Sequence, residues 1–140
     1  MSQLFPFLIC DLMNKDTKIQ HIALNYNNGE NAKIFFTKIL GIPLIKSSEL
    51  SNDLSKLIFH IDEKVIMEYY DNGSARFEIF ISNEQRGKTY NHICIEIKDK
   101  TFFYAKCKEY GLNQFIVNKG DVELLFVRDF SDNLFEIKEQ

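Results

Sequence analysis

The sequence repeats one pattern of predicted secondary structure after about 70 residues, and this repeat constrains the fold more than any other feature. A strand-like segment, an amphipathic helix and three more strand-like segments occur in this order twice. Gly111 follows Gly41 by 70 positions, and His92 follows His21 by 71 positions. The chain is therefore predicted to contain two copies of a βαβββ module, each too small to be stable alone.

The first module is predicted to span residues 18–82. Its helix covers residues 30–40 and ends before Gly41, which can adopt the left-handed conformation common just after a helix. Asn72-Gly73 predicts a tight turn between the last two strands, because both residues tolerate a positive φ angle. The strand-like segments of this module are residues 18–26, 42–47, 55–61, 64–70 and 75–82, one more than in the second module, because residues 41–63 are longer than their counterpart.

The second module is predicted to span residues 83–140, after a short link at about residues 82–89. Asp99 can cap a helix over residues 100–110 that stops at Gly111. Its strand-like segments are residues 91–97, residues 112–117 and the two halves of a hairpin over residues 122–139. Residues 1–17 form an N-terminal extension. The predicted fold class is α+β, with two tandem βαβββ modules.

Composition argues against several classes of protein. The net charge is −3 and no run of Lys or Arg is present, so a nucleic-acid partner is not expected. Cys10, Cys94 and Cys107 have no CxxC spacing, which indicates neither a disulfide framework nor a zinc knuckle, and a reducing cytoplasm is the expected location. The apolar run Leu4–Cys10 lacks the basic start and the cleavage site of a signal peptide. It is also too short to span a bilayer, and no other segment approaches that length, so no membrane partner is expected.

Four residues recur at equivalent places in the two modules. Each module has a histidine near the start of its first strand, His21 or His92, and a glutamate in its last strand, Glu78 or Glu136. In all four strands the neighbouring apolar residues face the core, so these four side chains face the opposite side. If the modules pair around a pseudo-twofold axis, the four side chains can converge in one cup. Two imidazoles and two carboxylates suit a divalent ion such as Zn²⁺, Ni²⁺, Co²⁺ or Mn²⁺.

Simpler interpretations exist for each of these residues. An outward-facing strand histidine or glutamate is most often an ordinary surface residue. The repeat also admits Glu68 as the first-module ligand, although Glu78 is favoured because it lies, like Glu136, on the second strand of a hairpin. His60 has no partner in the second module and is interpreted as structural or solvent-facing. Cys94 shares the face of His92, but inert packing is the default interpretation of a lone cysteine.

The chain resembles the vicinal oxygen chelate superfamily, which includes glyoxalase I, methylmalonyl-CoA epimerase, extradiol dioxygenases, fosfomycin-modifying enzymes and bleomycin-binding proteins. The resemblance covers residues 18–139 and rests on "HIAL", "IFFTKILGIPL", "NHICIEIKD" and "DNLFEIKE". It is greatest for the epimerase and for small glyoxalase I-like proteins. It implies a cup-shaped mixed sheet with helices outside, a homodimer, and metal ligands at His21, Glu78, His92 and Glu136.

A site of this kind supports proton transfer next to a carbonyl group, because a divalent ion that accepts the substrate oxygen acidifies the adjacent C–H. Glu136 is the first choice for the general base and acid, and Glu78 is the second. The substrate is expected to be a small molecule, either an acyl-CoA that is epimerised or a 2-oxoaldehyde–thiol adduct. Two alternatives are a metal-free drug-binding protein of the bleomycin-resistance type and a fosfomycin-type thiol transferase.

Overall fold

The chain is described by a computed structural model over residues 18–83 and 90–140. The predicted N-terminal extension, with its apolar run and Cys10, lies outside these residues, and so does most of the predicted link at residues 82–89. The boundary between modules 18–82 and 83–140 therefore stays a prediction. Among the described residues, no helix has the length and apolar character needed to cross a membrane.

The first half of the chain forms one mixed four-stranded sheet. Its strands are β1 (Ile22–Tyr26), β2 (Leu44–Leu50), β3 (Val65–Asp71) and β4 (Arg76–Ile81). They have the order β1-β4-β3-β2, in which β1 is parallel to β4 and the other neighbours are antiparallel. A short helix, α1 (Gly29–Lys33), continues directly into a π-helical segment (Ile34–Ile39), and helix α2 (Asn52–Phe59) lies between β2 and β3 in the chain.

The second half repeats this topology. Its sheet has the order β5-β8-β7-β6, again with the first and last strands parallel. The elements are β5 (Ile93–Ile97), α3 (Lys100–Glu109), β6 (Gln114–Lys119), β7 (Val122–Arg128) and β8 (Leu134–Glu139). Two mixed sheets of the same order confirm the predicted α+β fold of tandem βαβββ modules.

The helix boundaries follow from local chemistry that the sequence predicts. The Asp99 carboxylate accepts a hydrogen bond from the backbone N–H of Phe102 at 3.1 Å, which caps α3 as predicted. The residues after the two predicted helices, Gly41 and Gly111, have φ angles of 73° and 78°. A side chain in this left-handed region is strained, so glycine is the natural residue at both ends.

One predicted element is wrong. Residues 55–61 were predicted as a strand from their apolar pattern, but the chain forms helix α2 over Asn52–Phe59. The Ser51 hydroxyl accepts from the backbone N–H of Leu54 at 3.3 Å, and His60 ends the helix with φ 61°. These end signals outweigh the strand-like composition. Residues 90–140 contain no equivalent of α2, which explains why residues 41–63 are longer than their counterpart.

A single apolar core joins the two modules. Phe35 of the π-helical segment packs on Phe135 of β8 with ring centroids 5.1 Å apart. Phe77 of β4 lies 6.5 Å from the same ring. Truncating a buried phenylalanine commonly costs about 3–5 kcal/mol, so this aromatic cluster contributes strongly to the stability of both modules. Among the residues that the structure describes, the large side chains that are fully buried are Tyr26, Tyr70, Phe35, Phe36, Phe77, Phe135, Ile79, Val127 and Cys107.

Candidate metal centre

The four predicted ligands lie on the sheet faces opposite the core. Burial alternates along each strand, so that the residues on either side of Glu78 and of Glu136 are buried. His21 and His92 each lie one residue before a first strand, in equivalent positions of the two modules. The buried neighbours that define the core face are Leu24, Tyr26, Phe77, Ile79, Phe135 and Ile137.

In the first module, His21 and Glu78 are brought together. His21 Nε2 lies 3.3 Å from Glu78 Oε1, and the two side chains are 42% and 23% exposed. The parallel pairing of β1 with β4 places Ala23 directly opposite Glu78. His21 lies two residues before Ala23 on the same face, so its side chain can reach the Glu78 carboxylate. An imidazole nitrogen and a carboxylate oxygen therefore stand side by side.

The second module repeats this arrangement. His92 Nε2 lies 3.8 Å from Glu136 Oε1, and the side chains are 44% and 17% exposed. The other ring nitrogen, Nδ1, lies 3.0 Å from the carbonyl oxygen of Tyr90. Because a carbonyl can only accept, Nδ1 must carry the proton, and in the neutral ring this leaves the Nε2 lone pair available. Metal-binding histidines are oriented in this way by a backbone carbonyl.

A single chain does not unite the two pairs. Within residues 18–83 and 90–140, no three side chains of the His, Cys, Asp or Glu type are grouped so that they could hold one metal ion. The physical reason lies in the core. Phe77 and Phe135, the residues just before the two glutamates, point into the same core. Since side chains alternate along a strand, Glu78 and Glu136 project from the far faces of their sheets.

Glu68, the alternative first-module ligand, lies on the other face of the sheet. Its Oε2 atom accepts a hydrogen bond from the Tyr70 hydroxyl at 3.1 Å, and its Oε1 atom reaches the start of α1 beside Gly29. Burial and the Glu68 carboxylate both raise the pKa of Tyr70. Glu78, and not Glu68, is therefore the carboxylate next to His21.

Cys94 and His60 differ in their relation to the pairs. Cys94 is exposed and lies opposite Glu136 in the β5–β8 register. Partial burial of the sulfur and the Glu136 charge raise the pKa of its thiol, which disfavours a reactive thiolate. His60 is an exposed residue at the end of α2, and its backbone N–H donates to the Lys56 carbonyl.

Residues 18–137 match the family model of the Glyoxalase/Bleomycin resistance protein/Dioxygenase superfamily. The chain belongs to this superfamily. The match covers the first sheet, the second sheet up to residue 137 and all four predicted ligands, and members of this superfamily are commonly metal-dependent enzymes. No curated protein matches the chain significantly.

Several solved structures of superfamily proteins share the fold. A glyoxalase family protein from Enterococcus faecalis is 18% identical, with a TM-score of 0.66, and the match covers 87% of this chain and 97% of that one. The fosfomycin resistance protein FosX from Mesorhizobium loti is 15% identical, with a TM-score of 0.64 and coverages of 90% and 92%. A mutant of FosX from Listeria monocytogenes, solved with Mn(II) and 1S,2S-dihydroxypropylphosphonic acid, is 18% identical, with a TM-score of 0.66 and coverages of 90%.

The superfamily fold also places residues beside the pairs that the sequence analysis missed. Tyr69 lies directly opposite Glu78, and Phe126 lies directly opposite Glu136. Lys138 Nζ lies 3.3 Å from Glu136 Oε2, two residues along the same strand face. The Asn72-Gly73 turn could have revealed Tyr69, because a hairpin closed by Asp71 and Arg76 fixes the register of the whole strand pair.

Proposed function

We propose that the protein is a metal-dependent isomerase or lyase that moves a proton next to a carbonyl group. The observation that supports this best is the recurrence of one His–Glu pair in both modules, His21 with Glu78 and His92 with Glu136. Both pairs stand on the sheet face away from the core, where a substrate can reach them. A protein that only sequesters a drug has no use for this duplicated donor set.

The donor set fits a divalent ion. Two imidazole nitrogens and two carboxylate oxygens are ligands that Zn²⁺, Ni²⁺, Co²⁺ and Mn²⁺ accept, and the His92 ring already presents the required lone pair. The FosX protein of similar fold was solved with Mn(II). When bound, such an ion would polarise the substrate carbonyl and acidify the neighbouring C–H.

The glutamates would move the proton. Glu136 is our first choice as general base and acid, because its side chain is less exposed than that of Glu78, at 17%. In addition, Lys138 forms an ion pair with one of the Glu136 carboxylate oxygens. Glu78 is the second choice, with 23% exposure and Tyr69 directly opposite. An acyl-CoA epimerised at its α-carbon and a 2-oxoaldehyde–thiol adduct are both compatible with this chemistry.

The complete site requires two copies of the chain. Each chain presents its two pairs on outer sheet faces, and among the described strands β1 and β5 are paired along one edge only. We place His21 and Glu78 of one copy against His92 and Glu136 of a second copy. A homodimer of this kind has two equivalent sites, related by its twofold axis.

Metal analysis tests this proposal. Protein purified without chelator should contain about one divalent ion per chain, because each dimer would form two sites. His92→Ala should lose the ion, and His60→Ala, a matched change at an exposed histidine outside the pairs, should retain it. Absence of bound metal from the wild-type protein, even after incubation with Zn²⁺, Ni²⁺, Co²⁺ and Mn²⁺, would contradict the proposal. Turnover of methylmalonyl-CoA against the hemithioacetal of methylglyoxal would then separate the two substrates.

A fosfomycin-type thiol transferase is the second candidate, because two fosfomycin resistance proteins share the fold, although the diol bound in one of them corresponds to addition of water and not of a thiol. Incubation of the metal-loaded protein with fosfomycin and a low-molecular-weight thiol would test it. A mass increase of the antibiotic by one thiol would support this candidate, and unchanged fosfomycin would leave the isomerase or lyase as the better assignment.

A further inference from the structure

A cavity of about 110 Å³ lies between α2 and the sheet face that bears Glu78. Its wall is mainly apolar, with a polar edge formed by Asn25 and Ser82 near the ends of β1 and β4 and by Glu63 before β3. The residues that enclose its interior are Ala23, Ser55, Phe59, Ile61, Val65 and Phe80.

Helix α2 forms the roof of this cavity. Phe59, its last residue, packs edge-on against Phe80 of β4, with centroids 5.3 Å apart and an angle of 72° between the rings. Ser55 is the one inward residue of α2 that is nearly fully buried, at 3% exposure, and its small side chain leaves the space open. Residues 90–140 contain no such helix between β6 and β7, and on the equivalent sheet face there the rings of Phe115 and Phe126 stack on each other.

The cavity begins beside the candidate metal ligands. Ala23 lines it and is also the direct β1 neighbour of Glu78. Phe80 lies two residues beyond Glu78 on the same face of β4, which is about 7 Å along the strand. A molecule held at the His21–Glu78 pair would therefore direct any substituent on that side under α2.

The size of the cavity limits what can enter. An apolar protein cavity of about 150 Å³ can hold benzene. The space under α2 is smaller, at about 110 Å³, and suits a short aliphatic group of a few carbons. We infer that α2 forms a pocket for a short aliphatic substituent of the substrate, next to the reacting carbonyl. This inference rests on the proposed metal-dependent function.

Alkyl hydroxamates test the pocket, because their head group binds a divalent ion and their tail length can be varied. Titration calorimetry of the Mn(II)-loaded protein would compare acetohydroxamate, butyrohydroxamate and octanohydroxamate. Two added methylenes should tighten binding by about 15-fold from the first to the second, at about fourfold per buried methylene. Octanohydroxamate should gain nothing more, because its tail exceeds the cavity.

Two substitutions in α2, one that fills the cavity and one that enlarges it, test whether the dependence on tail length arises there. Ser55→Leu should fill the cavity and reduce the affinity of butyrohydroxamate to that of acetohydroxamate. Phe59→Ala should enlarge it, so that octanohydroxamate binds more tightly than to the wild type. Leu57→Ala is the matched control on the same helix, since Leu57 is 76% exposed. This variant should bind the three hydroxamates with the affinities of the wild type.

The outcomes separate this inference from the proposed function. The pocket inference would be wrong if hydroxamate affinity for the Mn(II)-loaded protein did not depend on tail length. It would also be wrong if Ser55→Leu kept the affinities of the wild type for all three hydroxamates. Either result would leave the metal site intact. A wild-type protein that binds none of Zn²⁺, Ni²⁺, Co²⁺ and Mn²⁺ would overturn both. If Phe59→Ala fails to fold, Ser55→Leu decides alone, because leucine favours a helix more than serine does.

Discussion

The side-chain amide of Asn133, just before β8, donates to the backbone carbonyl oxygen of Asn25 at the end of β1, over 3.1 Å. The same amide nitrogen lies 3.0 Å from Oδ2 of Asp129. Since Asn25 belongs to the first module and Asn133 to the second, this polar contact fixes one module against the other beside the aromatic core.

Asn133→Ala should lower the free energy of unfolding by about 1–3 kcal/mol, because it removes the side-chain donor shared by the partly buried Asn25 carbonyl and the Asp129 carboxylate. Urea unfolding followed by circular dichroism measures this change. Asn113→Ala, at an exposed position between α3 and β6, is the control and should stay within about 0.5 kcal/mol of the wild type. Equal unfolding curves for the two variants would show that the contact adds no stability.

Asp129 should make stability fall as the pH rises. Its side chain is buried at 5% exposure, and this burial raises its pKa above that of an unfolded aspartate, although hydrogen bonds donated by the backbone N–H of Ser131 and by Asn133 oppose the shift. A raised pKa means that the folded state holds the proton more tightly. The resulting stabilisation is complete below the unfolded pKa and is lost as the pH rises through the folded pKa.

Asp129→Asn isolates this effect, because asparagine keeps an acceptor oxygen but has no charge. Relative to this variant, the wild type should lose unfolding free energy with rising pH, at no more than about 1.4 kcal/mol per pH unit, the limit for one proton. Urea midpoints between about pH 4 and pH 8 would measure the difference. Asp121→Asn, at an exposed position, should run parallel to the wild type. If the unfolding free energy of Asp129→Asn changed with pH in the same way as that of the wild type, the predicted titration of Asp129 would be wrong.

Local signals explain which parts of this fold could be predicted from the sequence. Asp99 and Gly111 define α3 through contacts within a few residues, and the Asn72-Gly73 turn defines the β3–β4 hairpin in the same way. The repeat adds the equivalence of His21 with His92, so the pairing of each histidine with its glutamate follows from strand order and parity.

Other features depend on contacts that the pattern does not contain. The apolar run of α2 fits a strand as well as a helix, and the Ser51 cap and the left-handed His60 decide between them. The separation of the two His–Glu pairs depends on Phe77 and Phe135 entering one core, which is a long-range packing choice. Sequence symmetry alone fits a cup within one chain as well as a cup between two chains.

Glu78→Gln and Glu68→Gln should differ sharply in metal binding. Glu78 lies 3.3 Å from His21, whereas Glu68 lies on the opposite sheet face and accepts from Tyr70. Loss of a residue behind the ligands commonly weakens metal binding by about 10–100-fold, so loss of the Glu78 ligand should cost more than about 100-fold. Competition with a chromophoric chelator measures both affinities. A larger loss in Glu68→Gln would assign the first-module ligand to Glu68 instead.

Mixing two inactive variants tests whether each site is shared between two copies. His21→Ala and His92→Ala should each bind no metal as separate homodimers, because every site in them lacks one imidazole. In a mixed dimer, the intact His92 of one chain meets the intact His21 of the other, so one of the two sites is complete. Co-refolding equal amounts should therefore restore about a quarter of the wild-type metal content, since half of the dimers are mixed. If all four ligands came from one chain, mixing would restore nothing, and the pairing of faces between copies would be wrong.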